Sequence, residues 1–236
     1  MFKFSWEFFT SIYAIFTFWR PGFSQAPDSG LTVFLFGGRA AEGRYPYLAS
    51  LRNPRTERHI CAGVLISPDL VMTAAHCLEP QYRGIRDPIV QLGRRCTNCP
   101  EGEDVEEARV AEIWFEPTWD KSILHGGDLA FLLLDRSLSS PLVKISPQPS
   151  LAELRRGPLW VAGWGAMDDN LNTPEELQHA QVPFVGSDEC TSKYWRAMIR
   201  SFSALDTMLC AGGGGAEVCQ GDSGGPLILR GRTWEE

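Results

Sequence analysis

Short apolar runs closed off by turn residues recur along most of this chain, and no stretch keeps a helical period long enough for an extended helix. Residues 63–67 are followed by the turn pair Pro68-Asp69 and then by residues 70–73, the pattern of a β-hairpin. Further strand candidates lie at residues 89–92, 110–115, 129–134, 159–162 and 181–185. Helical signals are few; Ser187 can N-cap a short segment over residues 188–195. Many short strands at regular spacing restrict the chain to an all-β fold, a barrel or a sandwich. At 236 residues it can form one large all-β domain or two small ones.

Composition removes other classes. With 44 % hydrophobic and 22 % charged residues the chain is globular rather than disordered. A net charge of −7 argues against nucleic acid as a partner, since such a partner needs a basic face. Seven cysteines are too few for a fold held by disulfides alone, and the odd number leaves one without a partner in the chain. Lys3, an apolar stretch over residues 8–19 and then Arg20, Pro21 and Gly22 stand at the amino end. That stretch is too short for a bilayer, which takes about 20 residues. It predicts a signal peptide over residues 1–24, with Gly22 and Ser24 at the −3 and −1 positions, and so a secreted protein with no membrane segment in its mature form. Glu7 and the many aromatics point instead to the alternative, a buried N-terminal element. Residues 25–34 read as a linker or propeptide, and residues 35–236 as the folded body.

Three segments carry chemistry. In Cys219-Gln220-Gly221-Asp222-Ser223-Gly224-Gly225-Pro226 a serine sits among glycines, on backbone able to turn sharply. There the amides of Gly221 and Ser223 could converge on one oxyanion. Taken alone, such a string is also a plain surface turn. Val71-Met72-Thr73-Ala74-Ala75-His76-Cys77 sets a histidine after a strand and beside a cysteine that can anchor it. A serine hydroxyl needs such a base, and neutral imidazole is the usual one. His59, His125 and His179 lack this setting and are expected at the surface or in loops. Asp128 opens the apolar run Leu129–Leu134, where a carboxylate needs a partner that His76 would supply.

With these residues in view, the sequence resembles the chymotrypsin-like (trypsin family) serine proteases. The resemblance extends to Leu35-Phe36-Gly37-Gly38, Pro46 to Leu51, Cys61-Ala62-Gly63, Val90 to Gly93, Ala162-Gly163-Trp164-Gly165 and Met208 to Gly212. The chain order His, Asp, Ser also fits that family. It implies two six-stranded antiparallel β-barrels with the active site between them. In that site Ser223 would be the nucleophile, His76 the general base, Asp128 the orienting carboxylate, and Gly221 with Ser223 the oxyanion donors. It implies disulfides Cys61–Cys77 and Cys190–Cys210, outside which stand Cys96 and Cys99, read as a local disulfide or as half of a metal site, and Cys219, left over. The chemistry needs no cofactor and no metal. Glu101, Glu103, Asp104, Glu106 and Glu107 read as a solvated acidic loop rather than a calcium site. Expected partners are protein or peptide substrates and protease inhibitors, with the chain acting as a monomer.

Three positions depart from the family pattern. Glu217 stands six residues before Ser223, where trypsin-like members carry a pocket-floor aspartate; it keeps the charge, hence a preference for Arg or Lys, but extends further into the pocket. Asp222 is the expected acceptor of an activation amine, yet Phe34 precedes Leu35, so trypsin-like cleavage cannot make that amine. The chain stops at Glu236, short of the family's last strands, pocket walls, a cysteine partner for Cys219 and the final helix, so the second barrel is expected to be incomplete. The expectation is a serine endopeptidase acting through an acyl-enzyme; the alternatives are a non-catalytic homologue that binds proteins, or an esterase using the same triad.

Overall fold

A computed structural model of the chain describes residues 45–97, 105–145, 150–167, 171–196, 203, 207–212 and 218–229, together with the backbone of Ala14–Phe16. Six strands close the first barrel: β2 (Leu48–Arg52), β3 (His59–Ser67), β4 (Leu70–Thr73), β5 (Ile89–Leu92), β6 (Glu106–Phe115) and β7 (Ala130–Leu134), joined in the order β2-β3-β4-β7-β6-β5. The expected hairpin is β3–β4, with Leu65 opposite Val71 and Val64 opposite Met72. The second half holds two three-stranded sheets. One contains β8 (Leu159–Gly163) between β9 (Gln178–Val182) and β12 (Leu227–Leu229). The other contains β11 (Met208–Ala211) between β10 (Phe184–Val185) and β1 (Ala14–Phe16). The pairing of β1 with β11 is parallel, with Ala14 opposite Met208. Only two α-helices are described, α1 (Leu151–Arg156) and α2 (Ser187–Arg196). The fold is all-β in character.

The unbroken apolar run on β3 follows from its position. Cys61 and Leu65 point into the barrel core with Leu51, Val71, Val90 and Leu132. Ala62 and Val64 point the other way and pack with Leu48, Ala162, Trp164 and Leu177, in the core that joins the halves. A strand buried on both faces cannot alternate apolar with polar residues. Below this joint, Leu154, Leu159, Val161, Ala180 and Val182 form the core of the second half, while Tyr194 of α2 packs with Val185, Met208 and Cys210. No helix among the described residues is long and apolar enough to cross a membrane.

Two local features differ from the sequence reading. The first is α1, which was not anticipated, although Ser150 and Glu153 form a reciprocal capping box that the Ser-x-x-Glu spacing encodes. The second is the start of β6 at Glu106, which takes Glu106 and Glu107 out of the expected acidic loop and into the barrel wall. Glu106 accepts hydrogen bonds from the Ser139 amide and hydroxyl and from the Ser140 hydroxyl, and so ties β6 to the segment after β7. Glu101, Glu103 and Asp104 lie outside the described residues.

Leu132 is fully buried on β7, between β4 and β6. Leu132→Ala should cost about 2–5 kcal/mol, read as a lower urea midpoint at unchanged m-value. A loss below about 1 kcal/mol would mean that this strand does not anchor the barrel.

Candidate active site

His76 lies in a 3-10 turn over Ala75–Leu78, directly after β4. Ala75, Cys77 and Leu78 are buried in that turn, which leaves His76 as the residue that faces outward. Cys77 is disulfide-bonded to Cys61 on β3, so the turn is fixed covalently to the barrel wall. Asp128 stands two residues before β7 and is buried. Both of its oxygens are taken by His76: Oδ1 accepts the backbone N–H at 2.8 Å and Oδ2 accepts Nδ1–H at 2.6 Å. A carboxylate can only accept, so Nδ1 carries the proton of this bond, and Nε2 stands outside the pair. The partner anticipated for Asp128 is therefore present.

The Ser223 segment docks on the first barrel. The Ala62 amide on β3 donates to the Ser223 carbonyl at 2.8 Å. The sulfur of Cys77 lies 3.7 Å from that same carbonyl oxygen and 4.0 Å from His76 Nε2, so one atom touches both His76 and the Ser223 residue. Gly224, at φ +81°, permits the approach: a Cβ there would lie 2.2 Å from Thr73 Oγ1 and 2.3 Å from the Ala62 carbonyl. No other residue fits.

Asp222 faces away from this surface. Its Oδ1 accepts the Gly165 amide at 2.7 Å and its Oδ2 the Cys219 amide at 2.9 Å. A Cβ at Gly165 would sit 2.3 Å from Oδ2, so the carboxylate rests directly on backbone. Burial pushes the carboxyl up to about 6, against the two amide bonds, and no cation pairs with it among the described residues. Cys190–Cys210 joins α2 to β11. Cys96 is disulfide-bonded while Cys99 lies outside the described residues, as does Glu217. Cys219 is present as a thiol. Cys61, Cys77 and His76 cluster closely enough to suggest a metal site, but the two sulfurs are bonded to each other and no thiolate remains to ligate.

Two of the other three histidines are not where the sequence suggests. Only His125 is an exposed loop residue, paired with Asp120 at 2.6 Å. His179 is buried on β9 and bonded to the Tyr45 hydroxyl. His59 opens β3 and bridges Ser50 to Gly221, a contact across 162 residues that no local motif announces. Tyr82, also unanticipated, meets the His76 ring edge-on at 5.8 Å and donates its hydroxyl to the Lys121 carbonyl.

Comparison with solved structures gives the class. The fold is similar to that of neuropsin, a serine protease expressed in the limbic system of mouse brain, with a TM-score of 0.69 and 28 % identity over 84 % of this chain and 82 % of neuropsin. In sequence the chain is 35 % identical to mouse tryptase over 216 residues, which is 87 % of this chain and 77 % of the tryptase. It is 32 % identical to human chymotrypsin-like elastase family member 3A over 214 residues, 87 % of this chain and 76 % of that relative. The Trypsin family model matches residues 35–234. The chain belongs to the trypsin family, whose enzyme class is serine endopeptidase.

The two buried titrating groups of this region pull in opposite directions. Asp222, raised in the folded state, contributes stability at low pH that is lost as pH rises from about 4 to about 6. His59, pushed down to about 4 chiefly by burial, contributes stability above pH 6.5 that is lost as pH falls towards 4. The two contributions therefore oppose each other across this range. Asp222→Asn should therefore steepen the rise of stability with pH between 4 and 6, measured by urea unfolding at each pH; an unchanged slope would contradict the buried, unpaired carboxylate.

Proposed function

We propose that this chain is a secreted serine endopeptidase that cleaves proteins or peptides through an acyl-enzyme on Ser223. The observation that carries the reading is the two-point hold of Asp128 on His76, through ring and backbone, with the Ser223 residue docked against the same disulfide. His76 Nε2 takes the Ser223 Oγ proton as Oγ attacks the substrate carbonyl carbon, and Asp128 stabilises the imidazolium. The tetrahedral intermediate collapses when the imidazolium protonates the leaving amine and the C–N bond breaks. Water, activated by His76 in turn, releases the acid and restores Ser223.

The peptide planes around Ser223 support an oxyanion role for Gly221 and Ser223. The Gln220 carbonyl accepts the Ala166 amide at 2.8 Å, which directs the Gly221 N–H, trans to it, towards the opposite side. The Asp222 carbonyl accepts the Gly225 amide at 3.0 Å and orients the Ser223 N–H in the same manner. Donors fixed before substrate arrives need no reorganisation when charge develops.

Sequence alone supports Glu217 as the residue favouring Arg or Lys substrates. Asp222 would receive the amine created by cleavage after Phe34, the cation its buried carboxylate lacks among the described residues. The disulfides Cys61–Cys77 and Cys190–Cys210 support an oxidising compartment, in keeping with a signal peptide over residues 1–24 and a linker over 25–34.

A fluorophosphonate probe should label Ser223 at one per chain, and His76→Ala should slow turnover by about a million-fold. Well-folded protein that takes no label would instead be a binding homologue. Peptidase activity should rise from acid to neutral pH, because a general base must be free of its proton to act; a rate that goes on increasing as pH falls below about 5 would contradict a histidine base.

A further inference from the structure

The loop that follows His76 folds back onto its own turn. The Glu79 carbonyl accepts the amides of Tyr82 and Gly84, both at 3.0 Å, and the Cys77 carbonyl accepts the Ile85 amide at 2.9 Å. Gly84 comes so close that a Cβ there would stand 2.3 Å from the Cys77 carbonyl oxygen. Pro80 opens a second 3-10 turn, Pro80–Tyr82, which Arg83 ends in the left-handed region at φ 63°. Tyr82 is thereby carried on the same element as His76. The two rings meet edge-on, with centroids 5.8 Å apart at 71°, an arrangement that aromatic pairs prefer.

The phenol reaches across to a second loop. Its hydroxyl donates to the Lys121 carbonyl at 2.9 Å, in the segment that leads to Asp128. That carbonyl is itself fixed. Lys121 holds φ 70°, the Ser122 amide donates to Asp120 Oδ1 at 2.9 Å, and the His125 amide donates to the Ser122 carbonyl at 3.2 Å. Gly127, next to Asp128, packs onto the start of the same loop, where its Cβ would lie 2.9 Å from the Trp119 amide nitrogen. The carbonyl that holds Tyr82 therefore shares the frame of Asp128.

We infer that Tyr82 is a positioning residue, a strap from the His76 loop to the Asp128 loop that keeps the imidazole seated on its carboxylate. This inference rests on the reading of His76 as general base. The bond from Nδ1 to Asp128 fixes one corner of the ring and restrains rotation about that corner only weakly. The His76 side chain is 21 % exposed, so water competes for Asp128 Oδ2 whenever the ring swings away. The Tyr82 ring supplies a second point of contact, and the bond to Lys121 stops the phenol from following the imidazole outward. Two points fix where Nε2 aims, and proton transfer is sensitive to small displacements of the base.

Two measurements test this, one of them independent of turnover. In proton NMR the Nδ1–H proton of the bond to the Asp128 carboxylate should resonate far downfield and stay sharp in the wild type. Tyr82→Ala should broaden it through exchange with water, and Tyr82→Phe, which loses only the hydroxyl, should broaden it less. In labelling by a small fluorophosphonate, Ser223 Oγ attacks phosphorus, fluoride leaves and the proton passes to His76. That rate should fall about 10-fold in Tyr82→Ala and about 3-fold in Tyr82→Phe. With a peptide substrate kcat should fall in step while KM stays within about twofold of wild type. An unchanged proton line in folded Tyr82→Ala, labelling within about twofold of wild type, or a raised KM at unchanged kcat each overturns the inference. Should Tyr82→Ala fail to fold, Tyr82→Phe decides, and labelling there at the wild-type rate overturns it. Wild-type protein that takes no label removes the general-base reading, and the proton line of the variants then decides the strap alone.

Discussion

The docking of the Ser223 segment onto β3 is the constraint on which the rest of the site depends. Neither half of the molecule alone holds the proposed reaction centre: His76 and Asp128 stand at the ends of first-barrel strands, and Ser223 enters from the other half. The contacts made by the Ser223 and Gly221 carbonyls bring them into one frame. The apolar joint of Leu48, Ala62, Val64, Ala162 and Trp164 lies beneath and supplies the area that keeps the halves together. Hydrogen bonds alone would hold it weakly, because each is worth only about 1 kcal/mol net. Packing brings the surfaces together and the carbonyl contacts set their register.

Around that joint the protein buries polar groups that cost free energy to desolvate. Asp222 rests on two backbone amides, and His59 lies within range of Arg52 and Arg94. Their pH dependences run in opposite directions. The same burial leaves a carboxylate that an incoming cation would stabilise, which is what the proposed activation uses.

Much of this was legible in the sequence because the chemistry is written locally. The glycines around Ser223, the cysteine after His76 and the apolar run after Asp128 each state a physical need within a few residues. The barrel strands were equally legible, since β4 and β5 are short apolar runs between turns. The position of His59 was not, because its partners Ser50 and Gly221 come from distant points of the chain and nothing next to His59 marks it as buried. The six residues of α1 had a readable capping box but too little length for a period to emerge. Glu106 was misread because a carboxylate in an acidic run resembles solvated loop until the serines that bind it, thirty-three residues on, are brought alongside.

The central claim is that Ser223 forms a covalent bond to the acyl group of the substrate. Rapid-quench mass spectrometry with an activated ester tests it most directly. The account predicts a burst of about one acyl group per chain, with the added mass on the peptide that contains Ser223 and none in His76→Ala. An acyl group found on another residue, or steady turnover with no covalent species, would contradict it.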